Sequence, residues 1–309
     1  MRELTSTVTV DHSDRLRSIP DTRRDRTIHL RFLRLADGYL AQAWGSAFPH
    51  DGGGHQGRVL LGASTLEAGI DDLRARWRAA LTDEGAGPTG RPFVDEWDLA
   101  GRDVDEAVRS LARAGHDLFA LLFRHGDAGL DELRDRLVAA MRAGEHVVTV
   151  ESDDLRVPWG LLYVPLDDHA PVWDDGHRWD PRGFWGYRHL IEHTSSRATG
   201  ADPTVPPGGA GLGAAPSGPD HLGRREVGDP LPHRAAGCPV EAQVDPPRAF
   251  AREYAARLAE ALSAPGATLG DVVRDLARAF LDEHRNPLGL IFSLRRGIDA
   301  HVSSATTDR

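Results

Sequence analysis

Gly144-Glu145-His146-Val147-Val148-Thr149-Val150-Glu151, followed after five residues by Val157-Pro158-Trp159-Gly160-Leu161-Leu162-Tyr163, decides how the chain is read. The short apolar run after a glycine reads as a buried strand. What precedes it is helical: Leu130, Leu133, Leu137 and Met141 recur at three- and four-residue spacing, and Gly144 stops them. Helix, glycine, strand is the grammar of a parallel α/β sheet. Pro158 then suits the first turn of a short helix.

Working back from that stretch, Val104, Val108, Leu111, Ala112, Gly115, Leu118, Phe119 and Leu122 outline a longer helix, and Ile70, Leu73, Trp77 and Leu81 an earlier one. Asp103, and Asp127 or Asp131, supply the negative charge that favours a first helical turn. Two alternating runs flank Asp37-Gly38, namely Ile28, Leu30, Phe32 and Leu33, then Tyr39, Leu40, Ala41 and Trp44, and predict a β-hairpin. His50–Gly57 reads as a loop and Val59–Leu61 as a short third strand. Residues 1–26 are polar, carry Arg23, Arg24 and Arg26, and read as a loose arm. Residues 27–100 then form a small β-plus-helix region in front of a larger unit over 101–302.

Forward of the stretch, Phe184–Thr194 reads as a strand. Residues 198–239 are so rich in Gly and Pro, and so poor in large apolar side chains, that they predict a long loop interrupting the larger unit. Tyr254, Leu258 and Leu262 give one helix. Thr268 is a cap candidate for the next, whose core face is Val272, Val273, Leu276, Phe280 and Leu281. Leu288–Leu294 closes as a terminal strand.

The 309 residues carry a net charge of -10, with all 37 basic residues arginine, which argues against a non-specific nucleic-acid binder. Arg23-Arg24 and Arg295-Arg296 are too scattered for a nucleic-acid footprint. The lone cysteine, Cys238, rules out an internal disulfide framework. No apolar run approaches a membrane span and no signal peptide is evident, so no membrane association is expected and a cytoplasmic location is.

Two blocks together resemble a known family. The first runs Val148-Thr149-Val150-Glu151 through Val157-Pro158-Trp159-Gly160-Leu161-Leu162-Tyr163, then Gly183-Phe184-Trp185-Gly186-Tyr187-Arg188 and Ile191-Glu192-His193. The second runs Asp245-Pro246-Pro247, Phe250-Ala251-Arg252-Glu253-Tyr254-Ala255, Leu269-Gly270, and Arg285-Asn286-Pro287-Leu288-Gly289-Leu290-Ile291-Phe292-Ser293-Leu294 with Gly297. In order and spacing they resemble the CHAT domain, a caspase-like bacterial module, over roughly residues 100–302. The resemblance implies a caspase-like sheet flanked by helices. In active members it also implies a cysteine peptidase whose dyad is a His-Gly histidine and a cysteine, both between the two blocks. Here that interval is only about forty residues, roughly half of what two further strands and helices need.

Cys238 is the only thiol, but Ala236-Gly237-Cys238-Pro239-Val240 departs from the family pattern and fits a structural cysteine. His221 and His233 fall in the Gly/Pro-rich interval, and His221-Leu222-Gly223 is a poor match to His-Gly. His125-Gly126 matches the dipeptide but ends a helix upstream, where Gly126 is a helix stop. His189-x-x-Glu192-His193 spells an inverted zinc-peptidase motif. On a strand, though, four residues span about 13 Å, too far for one zinc. Asp153-Asp154, Asp167-Asp168 and Asp174-Asp175, with Trp173, Trp179 and Trp185, suggest glycoside chemistry less readily than loop acids. The expectation is a degenerate, catalytically inactive CHAT-like module with a binding or regulatory role toward a protein partner, without cofactor or metal. The alternative is an active cysteine endopeptidase using Cys238 with His221 or His233.

Overall fold

The computed structural model describes residues 24–48, 54–82, 92–166, 179–194, 204–205, 240–295 and 297–302. Its architecture is α/β, built on a seven-stranded mixed sheet flanked by helices and consistent with a caspase-like arrangement. The expected hairpin forms from β1 (Ile28–Leu35) and β2 (Gly38–Trp44). Gly38 takes a φ of 151°, and a Cβ there would sit 2.0 Å from the Val59 carbonyl oxygen, so only glycine lets the turn close beneath β3 (His55–Val59).

Three long helices follow the third strand: α1 (Ala63–Thr82), then, after the short α2 (Pro92–Asp95), α3 (Asp105–Phe123) and α4 (Ala128–Ala143). Asp127 caps α4 by accepting from the Leu130 N–H at 2.9 Å, and Gly144 ends it. The chain then enters β4 (Val147–Ser152), whose Val148, Val150 and Ser152 are buried. Beyond it lie a 3-10 turn (Trp159–Leu161), a second (Pro181–Gly183), α5 (Trp185–Arg188) and β5 (Leu190–Thr194). After β6 (Thr204–Val205) the main sheet resumes with β7 (Val240–Ala242), α6 (Arg248–Leu262) and α7 (Leu269–Asp282). Thr268 caps α7 as expected, accepting from Asp271 N–H. A 3-10 turn (Pro287–Ile291) leads into β8 (Phe292–Leu294), and β9 (His301–Val302) pairs with β6 in a separate two-stranded sheet.

The strand order is β3-β2-β1-β4-β5-β8-β7. β1, β4, β5 and β8 run parallel; β2, β3 and β7 are antiparallel additions at the two ends. β1 pairs with β4 from Ile28↔Val148 to Phe32↔Ser152, so residues 27–100 contribute three of the seven strands of this one sheet. Arg24 and Arg26 are likewise held rather than loose. Arg26 bonds Glu192 and Asp299, and Arg24 bonds Asp271.

Each sheet face has a covered half. The face carrying Ile28, Leu30, Phe32, Val148 and Val150 packs against α1, α3 and α4, with Phe32 against Phe123 and Trp159 at 6.0 and 5.4 Å. On the opposite face, Phe292 and Leu294 lie beneath α6 and α7, Phe292 stacking on Tyr254 at 3.7 Å. Over β1 and β2 that opposite face is polar and paired across strands. Arg31 bonds Glu151, Gln42 bonds Gln56, and His29 stacks on Trp44 at 5.2 Å.

Three expectations shift. The third strand lies at His55–Val59 rather than Val59–Leu61, so His55–Gly57 is strand, not loop. Phe184–Thr194 divides into the one-turn α5 and β5. Leu288–Leu294 divides into a 3-10 turn and β8, because Asn286 caps the turn through Leu288 N–H at 3.0 Å and Pro287 starts it. Among the described residues no helix is long and apolar enough to cross a membrane.

Candidate functional site

In open α/β sheets, ligands collect outside the carboxyl ends of the parallel strands, where successive connections leave on different faces. Here the connection out of β4 packs on the Phe32 face through Trp159, which lies 6.4 Å from Trp185. The helices that precede β8 cover the opposite face. The carboxyl ends of β4 and β5 are therefore the place to look. They carry Ser152, Asp153, Arg156, His193 and Thr194, and the neighbouring end of β8 adds Arg295.

His193 stands at this edge because β5 alternates. Glu192 points to the face under α7, so His193 points to the other, one register step beyond the Glu192↔Leu294 pair. Its Nε2 is buried and has no hydrogen-bond partner among the described residues. Burial, then the nearby charges of Arg295 and Arg156, push the imidazole pKa down to about 4, while the Ser152 main chain works in the opposite direction. Around it the polar side chains are engaged. Arg295 is salt-bridged to Glu241, Gln243 donates to Ser293 Oγ at 2.6 Å, and Arg34 bonds Asp154 at 3.0 Å. Arg74 from α1 reaches across to the Arg156 carbonyl at 3.1 Å. The Arg156 guanidinium is exposed and makes no hydrogen bond among the described residues.

The sequence motifs disperse. In His189-x-x-Glu192-His193, the three side chains have three different surroundings. His189 is buried, its Nδ1 accepting from the His146 N–H at 3.1 Å, and burial holds its pKa well below the ordinary histidine value. Glu192 accepts from Arg26 Nε at 3.1 Å, Thr149 Oγ1 at 2.9 Å and the Ile298 N–H at 3.3 Å. These three bonds occupy the carboxylate as a structural clasp. No group of three or more potential metal ligands comes together among the described residues.

His125 lends its carbonyl to Leu60 N–H at 2.8 Å, and Gly126 is more than a helix stop. A Cβ there would lie 2.2 Å from the Arg58 carbonyl oxygen, so glycine is required for the bridge to β3. Trp185 is core and Asp154 is paired to Arg34, which removes them from glycoside chemistry. Cys238, His221, His233, Asp167, Asp168, Trp173, Asp174 and Asp175 lie outside the described residues.

A cavity of about 30 Å³ opens where β5 and β8, joined by a single register pair, splay apart. His189, Ile191, Gly270, Arg274 and Ser293 are among its lining residues. That is room for one or two waters, far short of the ~300 Å³ of a small-molecule pocket.

Sequence reasoning missed Arg156 and the buried side of His193. Neither sits in a distinctive motif, and only the strand register brings them to one edge. The geometry defines a mixed-sheet α/β protein with polar side chains at the carboxyl ends of its central parallel strands. No family model, curated protein or solved structure matches the chain.

Proposed function

We propose that the chain is a degenerate CHAT-like module of caspase-like architecture that binds or regulates a protein partner rather than cleaving one. The observation that supports this is the state of the imidazole at the strand ends. A cysteine peptidase needs a base near neutral pKa, exposed toward its nucleophile. His193 instead has Nε2 buried and a pKa of about 4, behind side chains committed to ion pairs. The excess of acidic residues on the chain suits a protein partner better than nucleic acid.

One observation favours the peptidase alternative. Val240, two residues after Cys238, pairs with Leu294 at this same edge. Alkylation of Cys238 by iodoacetamide separates the two readings. In the binding module the rate at pH 7 matches that of a free model thiol. A rate many times faster, with an apparent thiol pKa below the usual 8.5, overturns the binding reading.

A further inference from the structure

The His146 main-chain N–H donates to His189 Nδ1 at 3.1 Å, so that nitrogen uses its lone pair and carries no proton. Burial, then the charges of His146, Arg188 and Arg278, hold the ring neutral. A neutral imidazole with an unprotonated Nδ1 carries its proton on Nε2. This Nε2–H has no acceptor among the described residues, and His189 is only 3% exposed. Native proteins leave very few buried N–H groups unanswered.

The His189 ring lines the cavity of about 30 Å³ between β5 and β8. Paired strands run about 4.8 Å apart and leave no such space, but here the ladder is the single pair Glu192↔Leu294. The strands part where Ile191 and Ser293 wall the cavity. Size and charge then select the occupant. The volume admits one or two waters and no organic ligand. An anion is disfavoured, because Arg274 on the wall is already shared among Glu145, Asp271 and Asp275. An apolar guest would leave the Nε2–H unmet. Water accepts from it and can donate in turn to the same wall, where Ser293 Oγ accepts from Gln243 and has a second lone pair.

We propose that the seam between β5 and β8 is a bound-water site, in which water accepts from His189 Nε2–H and links the two strands where their ladder stops. The water is then part of the sheet, standing in for strand-to-strand bonds. The site does not depend on whether the chain binds or cleaves a protein.

The full-length chain is labelled with nitrogen-15 and studied by NMR in water. The expected result is a His189 ring protonated on Nε2, whose proton shows a rotating-frame cross-peak to water with the sign of close approach rather than of chemical exchange. Ser293→Ala keeps that cross-peak; its loss there assigns the signal to relay through the hydroxyl and overturns the proposal. His189→Asn places an amide oxygen where Nδ1 accepts from the His146 N–H and offers nothing in place of the Nε2–H. Oxygen-17 relaxation dispersion counts waters held inside a protein, and the count is expected to fall by roughly one or two in this variant. An unchanged count overturns the proposal. So does a wild-type ring protonated on Nδ1, or an Nε2 proton with no water cross-peak, and neither of these readings depends on a variant folding.

Discussion

Tyr254 carries a fully buried hydroxyl with no partner among the described residues, in a cluster where its ring stacks on Phe292 and lies 5.9 Å from Phe280. Burial alone drives its pKa far up, a sign that nothing polar answers it. Leaving such a group unsatisfied costs about 1–3 kcal/mol. Tyr254→Phe keeps the ring and removes the hydroxyl, so it is expected to stabilise the protein by about 1 kcal/mol, read as a higher urea midpoint at unchanged slope. Histidines act in the opposite sense. His193 titrates near 4 when folded and near 6.5 when unfolded, so the unfolded chain takes up the proton first as pH falls. Its contribution is complete above about pH 6.5 and is lost progressively down to about pH 4. His189 shifts in the same direction, first because burial disfavours its charged form and then because of the charges of His146, Arg188 and Arg278. Urea melts across pH 7 to 4 are expected to show stability falling, with a shallower fall in His193→Gln. An identical pH profile for the variant would remove His193 from this account.

At the scale of elements, contacts too close for a side chain show what could and could not be read from the sequence. Gly57 reads as loop from the local sequence, yet it lies within β3. A Cβ there would lie 2.0 Å from the Leu130 nitrogen, at the first turn of α4. Gly115 sits within α3 where a Cβ would meet the Leu161 carbonyl oxygen at 2.2 Å, docking the helix on the Val157–Tyr163 segment. Both glycines answer to a partner distant in sequence, so local propensity misreads the first and leaves the second unexplained. Gly57→Ala and Gly115→Ala are each expected to cost about 1–3 kcal/mol in chemical denaturation. Gly62→Ala, where a Cβ meets nothing within 4 Å, provides the comparison and should stay within about 0.5 kcal/mol of wild type. What was legible follows local rules. Asp37-Gly38 signals the hairpin, Thr268 the cap of α7, and three- and four-residue spacing the helices α1, α3, α4 and α7. The one-turn α5 escaped because four residues carry no period, and because Trp185 and Tyr187 favour strand in isolation. The candidate site escaped for the same reason as Gly57. Arg156 and His193 are 37 positions apart, and only the β4–β5 register joins them.

Across the whole molecule, the two ends of the described chain are tied through one buried carboxylate. Glu192, in the middle of the sheet, accepts from Arg26 ahead of β1, from Thr149 of β4 and from the Ile298 N–H beyond β8. Arg26 reaches Asp299 as well, Asp299 accepts from the Arg24 N–H, and Arg24 pairs with Asp271 on α7. Five segments, at residues 24–26, 149, 192, 271 and 298–299, therefore meet in one network of charges and hydrogen bonds. The side chains of Glu192 and Arg26 are 7% and 19% exposed, which puts the pair in the regime where deleting one partner strands the other. Glu192→Ala is expected to cost about 3 kcal/mol, with Arg26 left facing Asp299 alone. Arg26→Met combined with Glu192→Leu removes both charges and keeps volume, so it should lose less than Glu192→Ala by itself. The ordering of the two urea midpoints is the measurement. If the double variant is the less stable, the charges contribute net stability, and the clasp holds the fold together by attraction. If it is the more stable, the clasp chiefly fixes which segments meet, and both chain ends should then show faster amide exchange in the double variant although its global stability is the higher.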